Sequence, residues 1–277
     1  MRTWFITGAS RGFGALITKE ALAAGDAVVA TARNPAHVTA RFGDHPNLLA
    51  VALDVTHEAQ AHAAAEQAVK RFGRIDILVN NAGYGLLGAV EESSGPEVEK
   101  LFGTNVFGLL AVTRAVLPHM RRQRSGHLVN ISSIGGYRGF HGWGAYGATK
   151  FAIEGLTEAL ALELAPLGIK ATVVEPGFFR TDFLDDQSLS RTGIEIADYA
   201  ETVGQMRSLM ADANHAQPGN PAKLATAIIE LVNAPNPPLR LPLGSDTVAA
   251  IEKKHAFVEG ELKAWRDVAV STDVWDA

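Results

Sequence analysis

Tyr146 and Lys150 stand four residues apart at the head of a long apolar-periodic run, F-A-I-E-G-L-T-E-A-L-A-L-E-L. On a helix, residues i and i+4 share a face, so the phenol and the ammonium point into one space. Free tyrosine titrates at about 10, too high to trade protons readily near neutrality. A cation beside it favours the phenolate and lowers that value. Ser133 lies thirteen residues before Tyr146, where the run H-L-V-N-I-S meets a glycine-rich loop. A strand ending there leaves the hydroxyl at the carboxyl edge of a sheet, where open α/β sheets bind ligands. These groups are a hydrogen-bond donor, an acid and a charge that tunes it, which suits moving a proton on and off a carbonyl or alcohol oxygen. A Tyr–Lys pair alone also describes a half-buried tyrosine beside a snorkelling lysine. The chemistry therefore requires a cofactor site close by.

The first strand supplies one. It runs into T-G-A-S-R-G-F-G, with Gly8, Gly12 and Gly14 around Ser10, Arg11 and Phe13. A strand–glycine loop–helix junction aims backbone N–H groups and a helix N-terminus at an anion, and the missing side chains let a pyrophosphate approach. The spacing differs from G-x-G-x-x-G, but its place between a strand and a helix meets the same requirement. NAD sites carry an acidic residue at the end of the second strand to bind the adenosine ribose. Here that strand ends V-V-A-T-A-R-N-P, with Arg33 and no carboxylate. Arg33 and Arg11 can bind an extra phosphate in charge-assisted fashion, which points to NADP. The alternative is a solvated Arg33 ahead of the helix start Asn34-Pro35.

The elements that must position these groups follow from the hydrophobic pattern. Apolar runs predict strands at Trp4–Thr7, Ala27–Ala32, Leu48–Leu53, Ile75–Asn80, His127–Ser132, Lys170–Glu175 and Pro238–Leu241. Most are unbroken rather than alternating, as in strands buried on both faces. Helical patterns at Phe13–Ala24, His57–Phe72, Pro96–Gln123 and Ala145–Leu167 lie between them. Repeated strand–helix units imply one domain, a doubly wound α/β fold with a parallel sheet and helices on both faces. Residues 178 to 221 break the alternation and read either as a substrate lid or as ordinary packed helices with irregular joins. Ser245–Ala269 predicts an amphipathic helix that covers a sheet edge or meets a partner subunit.

Composition narrows the function classes. The 277-residue chain carries a formal net charge of −5 and is 47% hydrophobic, so it has no basic footprint for nucleic acid and enough apolar material for a large core. It contains no cysteine, which excludes disulfides and thiolate metal sites and fits a reducing compartment. No apolar stretch reads as a membrane span and the first strand begins almost at once, so a soluble cytoplasmic protein without a bound metal is the expectation.

With these motifs assembled, the chain resembles the short-chain dehydrogenase/reductase family. T-G-x-x-x-G-x-G stands at Thr7–Gly14, Asp54-Val55 follows the third strand and N-N-A-G occupies Asn80–Gly83. Asn105 sits in F-G-T-N-V-F-G, followed by Ser133, Tyr146 and Lys150, then Pro176-Gly177 with Thr181. N-N-A-G-Y-G-L-L-G and P-G-F-F-R-T-D-F look most like the 17β-hydroxysteroid dehydrogenase-like branch. The resemblance implies a seven-stranded Rossmann-type sheet and hydride transfer between a nicotinamide cofactor and a carbonyl–alcohol pair. It implies Tyr146 as acid/base, Lys150 on the nicotinamide ribose, Ser133 on the substrate oxygen and Asn105 in a proton relay through a water. Asp54 would contact the adenine, Asn81, Ala82 and Gly83 the cofactor floor, and Pro176, Gly177, Phe179 and Thr181 the carboxamide end. A homodimer or homotetramer is also implied. Thr149, where serine is usual, and Phe179, where valine or isoleucine is commoner, are the departures. The leading expectation is NADPH-dependent reduction of an apolar ketone or aldehyde. A catalytically silent dinucleotide sensor and a dehalogenase-like lyase are the rivals.

Overall fold

In the computed structural model, which describes residues 1–274, the apolar runs form the strands of one sheet. Its strands are β1 (Thr3–Ile6), β2 (Ala27–Ala32), β3 (Leu48–Ala52), β4 (Ile77–Asn80), β6 (Gly126–Ile131), β7 (Ile169–Pro176) and β9 (Arg240–Leu243). They lie in the order β3-β2-β1-β4-β6-β7-β9, and every neighbouring pair is parallel. All seven predicted strands are present, with ends shifted by a residue or two, as strand boundaries commonly are.

Burial on both faces explains the unbroken runs. Trp4, Ile6, Val28 and Val79 pack on one side against Ile17 of α1 (Gly12–Ala23) and Leu224 and Ile228 of α8 (Pro221–Asn233). Phe5, Val29, Leu78 and Leu128 face the other side. There they meet α3 (Glu58–Phe72), α5 (Leu109–Gln123) and α6 (Gly144–Leu164). On α3 the buried face is Ala61, Ala64, Ala65 and Ala68, so the helix can sit close to its neighbours. A short α2 (Ala36–Phe42) links β2 to β3. Asn34 Oδ1 accepts from Ala36 N at 3.1 Å, the capping role expected of the Asn34-Pro35 pair.

The predicted helix 96–123 departs from expectation in its middle. α4 (Gly95–Phe102) opens with a capping box at Ser94 and Glu97, but Gly103–Gly108 forms a π-helical turn before α5 begins. Gly108 lets this turn press on the loop after β3, since a Cβ there would lie 2.6 Å from Val55 Cγ2. The continuous run Gly95–Gln123 is also long and apolar enough by composition to cross a membrane, which corrects the expectation that no stretch would be. More than half of its most apolar window is buried inside the protein, the place of a core helix.

A small second sheet lies outside the sequence expectation. A separate pair of short strands, β5 (Gly85–Leu87) and β8 (Leu189–Arg191), joins the segment after β4 to residues 178–221. That region otherwise contains short turns and α7 (Gln205–Ala213). The C-terminal helix α9 (Ser245–Val270) starts beside β9 with Thr247 buried. Beyond its first turns it exposes Phe257, Val258, Leu262 and Trp265.

Candidate active site

β1 has β2 on one side and β4 on the other, so the order of the sheet reverses there and a crevice opens at the carboxyl ends. The glycine loop follows β1 into that crevice. Gly8 and Gly12 have φ of +65° and +53°, a region that favours glycine. A Cβ at Gly14 would stand 2.4 Å from Gly8 O and 2.7 Å from Asn81 Nδ2. Only glycine fits, and α1 can begin directly under the loop. Asn81 Nδ2 donates to Thr7 O at 2.9 Å and to Gly8 O at 3.1 Å, while Thr7 Oγ1 accepts from Asn81 N at 2.9 Å and Ala82 N at 3.0 Å. The N-N-A-G motif thus clamps the glycine loop. Its first residue, Asn80, is buried and donates to Asn130 Oδ1 and Thr113 Oγ1 instead.

A cleft of about 1390 Å³ runs from this loop to α6. It is lined by Gly8, Ser10, Arg11, Gly12, Phe13, Arg33, Asp54, Val55, Asn81, Ala82 and Gly83 at one end. Ser133, Tyr146, Lys150, Pro176, Gly177, Phe179 and Thr181 line its continuation. Of the candidate catalytic and cofactor-contacting residues, only Gly14 and Asn105 stand behind the wall rather than in it. Asp54 holds Thr56 N and Oγ1 at 3.0 and 2.7 Å. Burial pushes its carboxyl up, but the Thr56 bonds outweigh this and leave it below its ordinary value. Such a glycine-walled cradle, continuous with an apolar pocket, fits an extended dinucleotide.

The catalytic candidates converge at the far end. Lys150 is buried, and its Nζ donates to Ile131 O at 2.9 Å and lies 5.6 Å from the Tyr146 ring centroid. Ser133 Oγ accepts from Gly135 N at 3.1 Å, which fixes the hydroxyl at the turn after β6. Here electrostatics correct the sequence expectation. Burial pushes the Tyr146 phenol up, and the Ser133 hydroxyl only partly offsets this. Burial also brings Lys150 down to about 8. Desolvation of both groups outweighs the lowering expected from their proximity.

Asn105 stands behind the cleft wall, its side chain held by other groups of the protein. Its side chain is buried, accepting from Tyr84 N at 3.1 Å and donating to Tyr84 O at 2.9 Å and Thr149 Oγ1 at 3.1 Å. Those bonds tie the π-helical turn to the N-N-A-G loop and to α6. Within the cleft, the Arg11 guanidinium donates to Gln187 O at 2.7 Å and to Gln187 Oε1.

Trp143, Phe140, Phe178, Phe183, Leu184 and Met206 roof the cleft over Tyr146. The Trp143 and Phe183 rings stack with centroids 6.4 Å apart, and Phe183 lies 5.7 Å from the Tyr146 ring.

The profile of the short chain dehydrogenase family matches residues 2–191. The chain belongs to the short-chain dehydrogenase/reductase family. It is similar to the 3-ketodihydrosphingosine reductase of Bacteroides thetaiotaomicron, 41% identical over 240 residues, 86% of each chain. A short-chain dehydrogenase from Streptomyces avermitilis has a TM-score of 0.90 and 43% identity, covering 99% of this chain and 100% of its own. ElxO with NADP bound has a TM-score of 0.74 and 30% identity, covering 90% and 99%. NADP and NADH both occur among solved relatives of this dehydrogenase.

Several residues of this family member's site carry no sequence signal. His37 and Arg41 reach the cleft beside Arg33 only because α2 folds back there. Asp246, at the start of α9, accepts from Phe178 N at 2.8 Å and lies where a Cβ on Gly177 would collide with it. It thereby anchors the loop carrying Phe179 and Thr181. A charge 68 residues away in the chain cannot be paired with that loop by spacing alone.

Proposed function

We propose that this short-chain dehydrogenase/reductase reduces an apolar ketone or aldehyde to the alcohol, using NADPH. The observation carrying this reading is that Ser133, Tyr146 and Lys150 line the same cleft as the glycine cradle. The cradle residues, with Asp54 and Asn81–Gly83, would hold the dinucleotide, and Pro176–Thr181 its carboxamide end. When bound, the cofactor supplies the hydride. The protein's part is to orient the substrate and manage the oxygen's proton. Ser133 donates to the carbonyl oxygen, and Tyr146 delivers a proton to that oxygen as it takes on charge. The high proton affinity of the buried Tyr146 phenol keeps it in the acid form that reduction uses. Lys150, anchored on Ile131 O, supplies positive charge beside it. The aromatic roof suits an apolar substrate, in keeping with the ketone that names the Bacteroides relative.

Arg33, Arg41 and His37 line the end of the cleft beside β2, and that strand ends in Arg33 with no carboxylate, which favours the phosphate of NADP. Phe107, Phe151 and Leu162 are large apolar groups left exposed on the outer helices. They support a homo-oligomer. Paired titration with NADPH and NADH, followed by a carbonyl panel monitored through nicotinamide absorbance, tests the assignment. Tighter NADPH binding with turnover of an apolar carbonyl is expected. Binding without turnover of any carbonyl would favour the sensor reading, and no binding would remove both.

A further inference from the structure

Behind its catalytic face, α6 carries acidic chemistry that this mechanism does not use. Glu154 lies one turn beyond Lys150 and is 4% exposed, and Glu175 of β7 is 0% exposed. Arg240 of β9 serves both: its Nη1 donates to Glu175 Oε1 at 2.8 Å and to Glu154 Oε2, and its Nη2 to Glu158 Oε1 at 2.6 Å. The other oxygens, Glu154 Oε1 and Glu175 Oε2, are buried without a hydrogen-bond partner. One guanidinium therefore faces two buried carboxylates, and the group has surplus negative charge when both are ionised. Lys150 has the opposite imbalance. It is 7% exposed, bonds a neutral carbonyl and has no ion-pair partner among the described residues. A buried charge without compensation is costly.

Packing fixes the Glu154 carboxyl against the loop after β6 and the backbone turn that carries Lys150. A Cβ on Gly136 would stand 2.5 Å from Ser132 Oγ, 3.0 Å from Glu154 Oε1 and 3.0 Å from Lys150 O. The loop that presents Ser133, the Glu154 carboxyl and the helical turn of Lys150 thus meet at a point with no room for a side chain.

From this geometry we propose that Glu154 is a positioning residue, whose carboxylate is the counter-charge that keeps the Lys150 ammonium seated on the Ile131 carbonyl beside Tyr146. The inference rests on the reading of Lys150 as part of the active site. The titratable and charged groups around the cluster are Tyr146, Lys150 and Glu158 on α6, Glu175 on β7 and Arg240 on β9. Tyr137, in the turn after β6, stands 5.3 Å from the Arg240 guanidinium and bonds His255 of α9. Lys254, His255 and Glu259 line a cavity of about 690 Å³ on the outer side. Burial pushes the Glu154 carboxyl well above the usual carboxylate range, and the neighbouring Glu175 adds to this. Burial lowers Lys150, and the Glu154 charge acts against that fall. As pH rises Glu154 gives up its proton, and the resulting carboxylate delays deprotonation of Lys150. Without it, Lys150 loses its charge at lower pH.

The test reads Lys150 directly, by NMR titration of lysine-labelled protein with the Lys150 resonance identified by its disappearance in Lys150→Gln. No turnover is needed, so the result is separable from the fate of the reductase reading. In Glu154→Gln, which keeps the volume and removes the charge, the Lys150 midpoint should fall on the order of one pH unit. In Glu154→Asp, which keeps the charge on a shorter stem, it should stay within a few tenths of a unit. With any carbonyl the panel yields, the alkaline limb of kcat should move by the same amount in Glu154→Gln while KM for NADPH holds. An unmoved midpoint in Glu154→Gln would overturn the proposal, as would an equal fall in Glu154→Asp, which would mean packing alone. Should Glu154→Gln not fold, Glu175→Gln removes the neighbour that raises Glu154, so the Lys150 midpoint must hold or rise; a fall would overturn the proposal.

Discussion

One wall of the cleft is backbone and the other is side chain. The nucleotide wall presents Gly8, Gly12 and Gly83, clamped by Thr7 and Asn81, and a methyl group on Gly14 would collide with it. The substrate wall presents Trp143, Phe183, Leu184 and Met206. It is held in place by long-range contacts: Arg207 with buried Glu92, Ile196 N with Glu92 at 2.8 Å, and β5 with β8. A wall that offers N–H groups needs glycine at fixed positions, so it tolerates no change. A wall that offers apolar bulk needs only volume and can be rebuilt for another substrate. On this account, recognition of the cofactor and recognition of the substrate are separable.

Substitutions on each wall can break that separation. Gly14→Ala, with its Cβ driven onto Gly8 O, should abolish measurable dinucleotide binding and with it all turnover. Calorimetry showing near-normal affinity would refute the cradle. Ser133→Ala should cut kcat on the order of 10²–10³ with cofactor affinity unchanged, as read by steady-state kinetics and a fluorescence titration. Arg207→Ala leaves the Glu92 carboxylate buried without its cation, and should cost about 3 kcal/mol of stability. It should also raise KM for the carbonyl while leaving NADPH affinity alone; equal damage to both affinities would show the walls to be coupled. Arg33→Ala should weaken NADPH by about tenfold or more, the worth of a charge-assisted hydrogen bond, and leave NADH untouched. An equal loss for both cofactors would remove Arg33 from the phosphate site.

The same contrast explains what could be read from the sequence. The seven strands were legible because burial on both faces writes unbroken apolar runs. The cradle was legible because glycine and asparagine at set intervals have few other uses. Arg41, His37 and Asp246 were not, since each reaches the cleft through a fold-back or a contact distant in the chain. β5 and β8 are three residues each, too short to show a period. The π-helical turn lies inside an apolar run that reads as continuous helix, although Gly108 permits its close approach to Val55. For the Tyr146 phenol, spacing points the wrong way because it reveals the cation but not the depth of burial, and here burial dominates.

The central claim is that the buried Tyr146 phenol hands its proton to the oxygen of a carbonyl held over the cofactor cradle. Tyr146→Phe removes that proton and little else, because the ring keeps its place against Trp143 and Phe183. Single-turnover reduction by pre-bound NADPH, with cofactor affinity measured on the same sample, tests the claim most directly. The account predicts wild-type affinity and loss of nearly all hydride transfer; transfer at a wild-type rate from a fully bound cofactor would contradict it.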